Sequence, residues 1–120
     1  MDLIVGVVSA MIEKRSDGMT YNKLVRDKIP QIIAAQGGKA ECRVLSNEEY
    51  ALFLEAKLDE EVAEFHRDKN VEELADILEV VYALAASIGC SREELMESYQ
   101  KKHKDRGGFE DRILLISSEK

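Results

Sequence analysis

Residues 59–86, DEEVAEFHRDKNVEELADILEVVYALAA, pass without a break from a stretch crowded with acids to one that is almost wholly apolar. Leu54, Leu58, Glu61 and Phe65 follow in steps of four, three and four, the spacing of one stripe on an α-helix. Glu61 therefore falls within an apolar face, with Glu64 one turn on and Glu60 flanking both. Beyond a short turn at 68–70, Glu73, Asp76 and Glu79 step by three along a second helix, with Glu72 close by. Over 77–86 that helix is apolar around its whole circumference except for Glu79 and the Tyr82 hydroxyl, the pattern of a helix buried on all sides. Asp76 and Glu79 are then expected to face the interior.

Gathering like charges in an interior costs several kcal/mol per isolated ion, unless they are protonated, paired with Lys or Arg, or neutralised by a metal. Basic residues are sparse on these two faces: Lys57 precedes the acids by one turn, and His66, Arg67 and Lys69 belong to the connecting turn. Carboxylates grouped without cysteine or histidine suit a hard, oxygen-seeking cation, Mg2+ or Mn2+, rather than zinc. Two antiparallel helices would set Glu61 and Glu64 opposite Glu73 and Asp76. Glu-Glu-x-x-Glu on a single helix is ordinarily a solvated face; the second acidic row across the turn favours a metal.

Working outward, the rest of the chain reads as helices with clear start and stop signals. Pro30 sits early in VRDKIPQIIAA, where a missing amide is tolerated, and Gly37-Gly38 ends that segment. Ser46 with Glu49, Asn70 with Glu73 and Ser91 with Glu94 form capping boxes before three longer helices. Gly89 closes the third helix and Gly107-Gly108 the fourth. Segments 41–45 and 109–116, the latter containing RILLI, favour strand and could pair as a small ribbon. The expected fold is all-α, an antiparallel bundle of about four helices with a minor β element near the C-terminus.

At 120 residues the chain fits one domain, and a net charge of -7 sets it against nucleic acid and anionic membranes. Cys42 and Cys90 lie far apart with no metal-ligand spacing, consistent with a reduced cytoplasmic chain. The apolar opening LIVGVVSAM is about half the ~20 residues of a membrane span, and its basic residues follow it rather than precede it. Lys14-Arg15-Ser16-Asp17 is encodable by a purine-rich ribosome-binding sequence just ahead of Met19. Residues 1–18 are thus expected to be a translated leader or flexible extension, with the domain over 19–120; a genuine N-terminal strand or helix is the alternative.

Two basic groups complete the inventory. Lys23, Arg26 and Lys28 cluster in YNKLVRDKIP, and Lys101, Lys102, Lys104 and Arg106 precede Gly107-Gly108-Phe109. The second group also suits the C-terminal end of a helix dipole. Acids for a cation, with Lys or Arg for remaining phosphate charge, are what a metal-bound polyphosphate requires.

Glu60-Glu61-Val62-Ala63-Glu64 followed by Glu73-Leu74-Ala75-Asp76 resembles the EExxE and ExxD motifs of the MazG-like, all-α nucleoside triphosphate pyrophosphohydrolase superfamily, which includes phosphoribosyl-ATP pyrophosphohydrolases and dimeric dUTPases. YNKLVRDKIP, EELADILEVVYAL and KDRGGF, in that order, resemble a small house-cleaning subgroup, and the likeness covers 19–115. It implies a helical, dimeric or higher assembly holding Mg2+ on Glu61, Glu64, Glu73 and Asp76. By the same likeness Glu60 would be a nearby or alternative ligand, and Glu60 and Glu61 the catalytic residues. Only eight residues separate Glu64 from Glu73, a tighter connection than many relatives have, and Glu79 is a further candidate ligand by burial alone.

The implied reaction is attack by water on the α-phosphorus of a nucleoside triphosphate, releasing pyrophosphate. In it Glu60 would accept the proton and Lys23, Arg26, Lys28 and Arg106 would meet phosphate charge. Rival readings are phosphoribosyl-ATP hydrolysis in histidine biosynthesis and a noncatalytic helical interaction module. A chain this short has few layers to cover its apolar helix, so some of Val80, Val81, Leu84 and Ala85 are expected to pack against another subunit.

Overall fold

The computed structural model describes residues 21–119. It contains four helices: α1 (Ile29–Ala35), α2 (Asn47–Asp68), α3 (Val71–Ser87) and α4 (Arg92–Arg106). The expected leader at 1–18 lies outside the described residues. No helix among those described is by itself long and apolar enough to cross a membrane.

Local chemistry sets the helix ends. Ser46 accepts from the Glu49 amide at 3.2 Å while the Glu49 carboxylate accepts from the Ser46 amide at 3.1 Å, so two otherwise orphaned donors at the start of α2 are satisfied. Arg43 grips the same carboxylate with both guanidinium nitrogens, and this bonding lowers the Glu49 pKa to about 2. Ser91 and Glu94 repeat the arrangement at α4. At the end of α3 the Cys90 amide reaches back to the Ala85 carbonyl at 2.8 Å, a closure that needs a left-handed residue; Gly89 supplies it at φ 80°.

α2 and α3 form an antiparallel hairpin joined by Lys69 and Asn70 alone. Lys69 takes a left-handed backbone at φ 48° and Asn70 an extended one, which reverses the chain within two residues. Leu54 on α2, 2% exposed, and Val80 and Ala85 on α3 are the buried apolar residues of this hairpin. A second cluster, Ile29 and Ile33 with Tyr21, Val25 and Ile32 against them, folds the segment before α1 onto that helix. α4 follows α3 after a bend of 110° and buries none of its own residues; at the bend the Arg92 guanidinium lies 4.1 Å from the centre of the Tyr82 ring.

Two expectations change. No strand forms among the described residues: 41–45 and 109–119 have no regular secondary structure, and Val44, Phe109 and Ile113 to Ile116 are all exposed. Strand propensity alone is insufficient without a neighbouring edge to complete the ladder. Nor is α3 buried on all sides. Val80 and Ala85 face inward within the chain, whereas Val71, Leu74 and Leu78 lie on an exposed stripe. Val71, Leu74 and Leu78 thus leave part of α3 uncovered within the chain, while Val81 and Leu84 are half-buried.

Candidate metal centre

The hairpin brings two rows of acids together. Oxygens of Glu61, Glu73 and Asp76 lie within 4.8 Å of one another, as do oxygens of Glu60, Glu61 and Glu64, so Glu61 belongs to both groups. The apolar stripe of α2 carries Glu61 inward, leaving it 6% exposed. Glu73 is deeper still, at 1%.

Glu73 departs from the local rule its position suggests. Asn70 accepts from the Glu73 amide at 3.1 Å, making one half of a capping box. The other half is absent, and the Glu73 carboxylate instead interacts with Glu64 on the facing helix. Glu61 Oε2 and Glu73 Oε2 are buried with no hydrogen-bond partner. Orphaned carboxylate oxygens in an interior are costly, and a cation held by these acids is one partner that would satisfy them.

The electrostatics agree. Burial is the main cause raising the pKa values of Glu61, Glu64 and Glu73 above the ordinary carboxylate range; neighbouring acids add to the rise, and Lys57 opposes it at Glu61. Glu64 and Glu73, on facing helices, act on one another's ionisation, Glu73 raising the pKa of Glu64.

Cations are closer than the sequence suggested. Lys57 Nζ lies 3.4 Å from Glu60 Oε2 and 3.3 Å from Glu61 Oε1. Lys23 meets Glu60 Oε1 at 3.2 Å, and Arg26 meets Asp76 Oδ1 at 2.6 Å. Five carboxylates, Glu60, Glu61, Glu64, Glu73 and Asp76, thus face three cations in ion pairs. Fully ionised, the nest keeps two negative charges, which one divalent ion would balance. The donor set is all oxygen, which fits Mg2+ or Mn2+.

Glu79 does not join this group. Its side chain is 50% exposed and lies 3.9 Å from Arg92, where it ties α3 to the first turn of α4. Lys28 and Arg106 are exposed, and among the described residues neither pairs with a carboxylate. Lys57 is the site residue that the sequence placed nearby without a role. Its signal was its position three and four residues before Glu60 and Glu61.

Comparison with known proteins gives a short stretch of similarity. The chain is 57% identical over 42 residues to an uncharacterized protein of Mycolicibacterium smegmatis (strain ATCC 700084 / mc(2)155), an alignment covering 35% of this chain and 43% of that protein. The aligned part is thus less than half of the relative's length. No protein-family model matches the chain, and no solved structure is similar to it.

Proposed function

We propose that the chain is an Mg2+-dependent nucleoside triphosphate pyrophosphohydrolase, with Mn2+ as an alternative ion, that cleaves the α–β phosphoanhydride to give a nucleoside monophosphate and pyrophosphate. The observation that carries this reading is the convergence of Glu61, Glu73 and Asp76 from two helices, with two buried oxygens unpartnered and Lys23 and Arg26 beside them. The resemblance of the acidic motifs supplies the point of attack.

Glu61, Glu64, Glu73 and Asp76 would hold the ion. Bound there, Mg2+ would supply charge screening for the triphosphate and a more acidic water. The chain's own residues do the rest. Lys23 and Arg26 exchange their carboxylate partners for phosphate oxygens, placing positive charge where the leaving pyrophosphate accumulates negative charge. Glu60, which loses Lys23 to phosphate and keeps only its 3.4 Å contact with Lys57, takes the proton of the attacking water. Lys57 stays on Glu61 and limits the repulsion between the acids. The exposed stripe of Val71, Leu74 and Leu78 supports self-association.

The deciding experiment is a pyrophosphate-release assay across common and damaged nucleoside triphosphates and phosphoribosyl-ATP, with and without Mg2+. The reading expects Mg2+-dependent release that is lost in Glu61→Gln and Asp76→Asn. Undiminished release in both variants, or none from any substrate, overturns it.

A further inference from the structure

The uncovered stripe of α3 has an apolar counterpart at the other end of the chain. Phe109 and the unbroken run Ile113, Leu114, Leu115 and Ile116 are each between 77% and 98% exposed, and they follow a helix that buries none of its own residues. Single exposed apolar side chains are ordinary on a protein surface; four in succession are not. α4 stops at Gly107, where φ is 80°, and the Arg112 amide then closes a turn on the Phe109 carbonyl at 3.1 Å. That turn holds Arg112 at φ 60°, a region that residues other than glycine seldom occupy. Among the described residues Arg112 makes no ion pair that would keep it there.

Resting on the reading of the α3 stripe as a self-association surface, we propose that its occupant is the C-terminal arm, residues 109–116, of a second copy of this chain, exchanged reciprocally between two copies. Shape and charge both fit. Val71, Leu74 and Leu78 lie at steps of three and four, so they form one apolar line along α3. An arm laid out along that line presents Leu114 and Ile116 to the same side, because alternate residues of an extended segment share a face. α3 carries Glu72, Glu73, Asp76 and Glu79 but no Lys or Arg. The arm and the end of α4 before it supply Lys101, Lys102, Lys104, Arg106 and Arg112. Like therefore meets unlike in trans.

Symmetry completes the case. Each copy owns one arm and one stripe, so a two-fold exchange covers both arms and both stripes and closes at two chains. The strand propensity of 109–116, which finds no neighbour among the described residues, is then directed at a partner.

The test uses the full chain, and turnover is no part of its readout, so its outcome leaves the hydrolase reading untouched. In a Cys42→Ser, Cys90→Ser background, Leu78→Cys and Leu114→Cys are placed on separate chains of different tag length, co-expressed, and treated with a short bis-maleimide. The unlike pair should link about ten-fold faster than either like pair, as a contact held at high effective concentration requires. A chain carrying both cysteines should link to a second chain rather than to itself. Leu114→Asp with Ile116→Asp, at exposed positions, should shift the light-scattering mass from two chains to one, and circular dichroism should show the helices intact. Linkage within one chain, or unlike pairs no faster than like ones, overturns the exchange. A two-chain mass that persists in the Asp variant overturns it too, but leaves self-association through another surface standing. A monomeric wild type overturns both, and wild type that stays monomeric and floats with lipid vesicles would assign the arm to a membrane surface instead.

Discussion

Arg26 and Asp76, fifty positions apart in the chain, meet at 2.6 Å between Nη2 and Oδ1. The contact places a fixed positive charge on one of the acids proposed to hold the metal. Cation and metal therefore compete for the same oxygen, and Arg26→Ala should bind Mn2+ several-fold more tightly than the wild type in a calorimetric titration without nucleotide. The same variant should hydrolyse triphosphate more slowly, having lost a phosphate contact. Weaker Mn2+ binding in Arg26→Ala would show that the guanidinium supports the site rather than competing for it.

Asp76, in the nest, and Glu79, outside it on the same helix, should separate cleanly. Asp76→Asn should lower Mg2+-dependent pyrophosphate release by about a hundred-fold or more. Glu79→Gln should leave it within about two-fold, because that side chain is half exposed and faces Arg92 at 3.9 Å. Equal losses in the two variants would return Glu79 to the metal site.

Proton linkage gives a signature that needs no substrate. Glu61, Glu64 and Glu73 titrate above the ordinary 4.5 in the folded protein, so in the range just above 4.5 the native state holds more protons than the unfolded one. Their contribution is most favourable at or below 4.5 and is lost as pH rises through the folded values. Thermal melts of metal-free protein should accordingly show stability falling from pH 5 towards neutrality, and saturating Mg2+ should reverse the fall. Glu49, lowered to about 2, has the opposite sign: its contribution is lost only as pH falls below 4.5, outside that window. A metal-free melting temperature that climbs steadily from pH 5 to 7 would contradict raised pKa values at these three buried acids.

Packing can be tested separately from chemistry. Leu54, at 2% exposure on α2, should cost about 2–5 kcal/mol on truncation to Ala, read as a lower denaturant midpoint. Leu78→Glu lies on the exposed stripe and should spare the monomer fold but shift the mass seen by light scattering towards a single chain. A wild-type protein already monomeric at micromolar concentration would remove the case for self-association through that stripe.

Much of this architecture is legible locally. Ser46 with Glu49, Ser91 with Glu94 and the glycine after α3 mark helix ends because each signal involves atoms only a few residues apart. The inward position of Glu61 follows from its place among Leu54, Leu58 and Phe65. Glu79 was misplaced for a geometric reason: two steps of three residues rotate a side chain by about 120° away from Glu73, so a row that starts in the nest ends outside it. Asn70 and Glu73 satisfied a capping pattern, but the tertiary pull of the opposing carboxylates drew the Glu73 side chain away. The cations were visible as residues and illegible as partners, since nothing in the order of the chain tells Lys23 from Lys28. Strand propensity at 109–116 said nothing of whether an edge would be there to receive it.

The two-residue corner of Lys69 and Asn70 works as a ruler for the whole centre. With so short a link, the height of Glu73 and Asp76 against Glu61 and Glu64 is fixed by chain connectivity rather than adjusted by a pliable loop. One extra residue in the first turn of α3 would swing its acids by about 100° around the helix axis, dispersing the charges while both helices survive. That corner is where an engineer could disarm the protein without unfolding it.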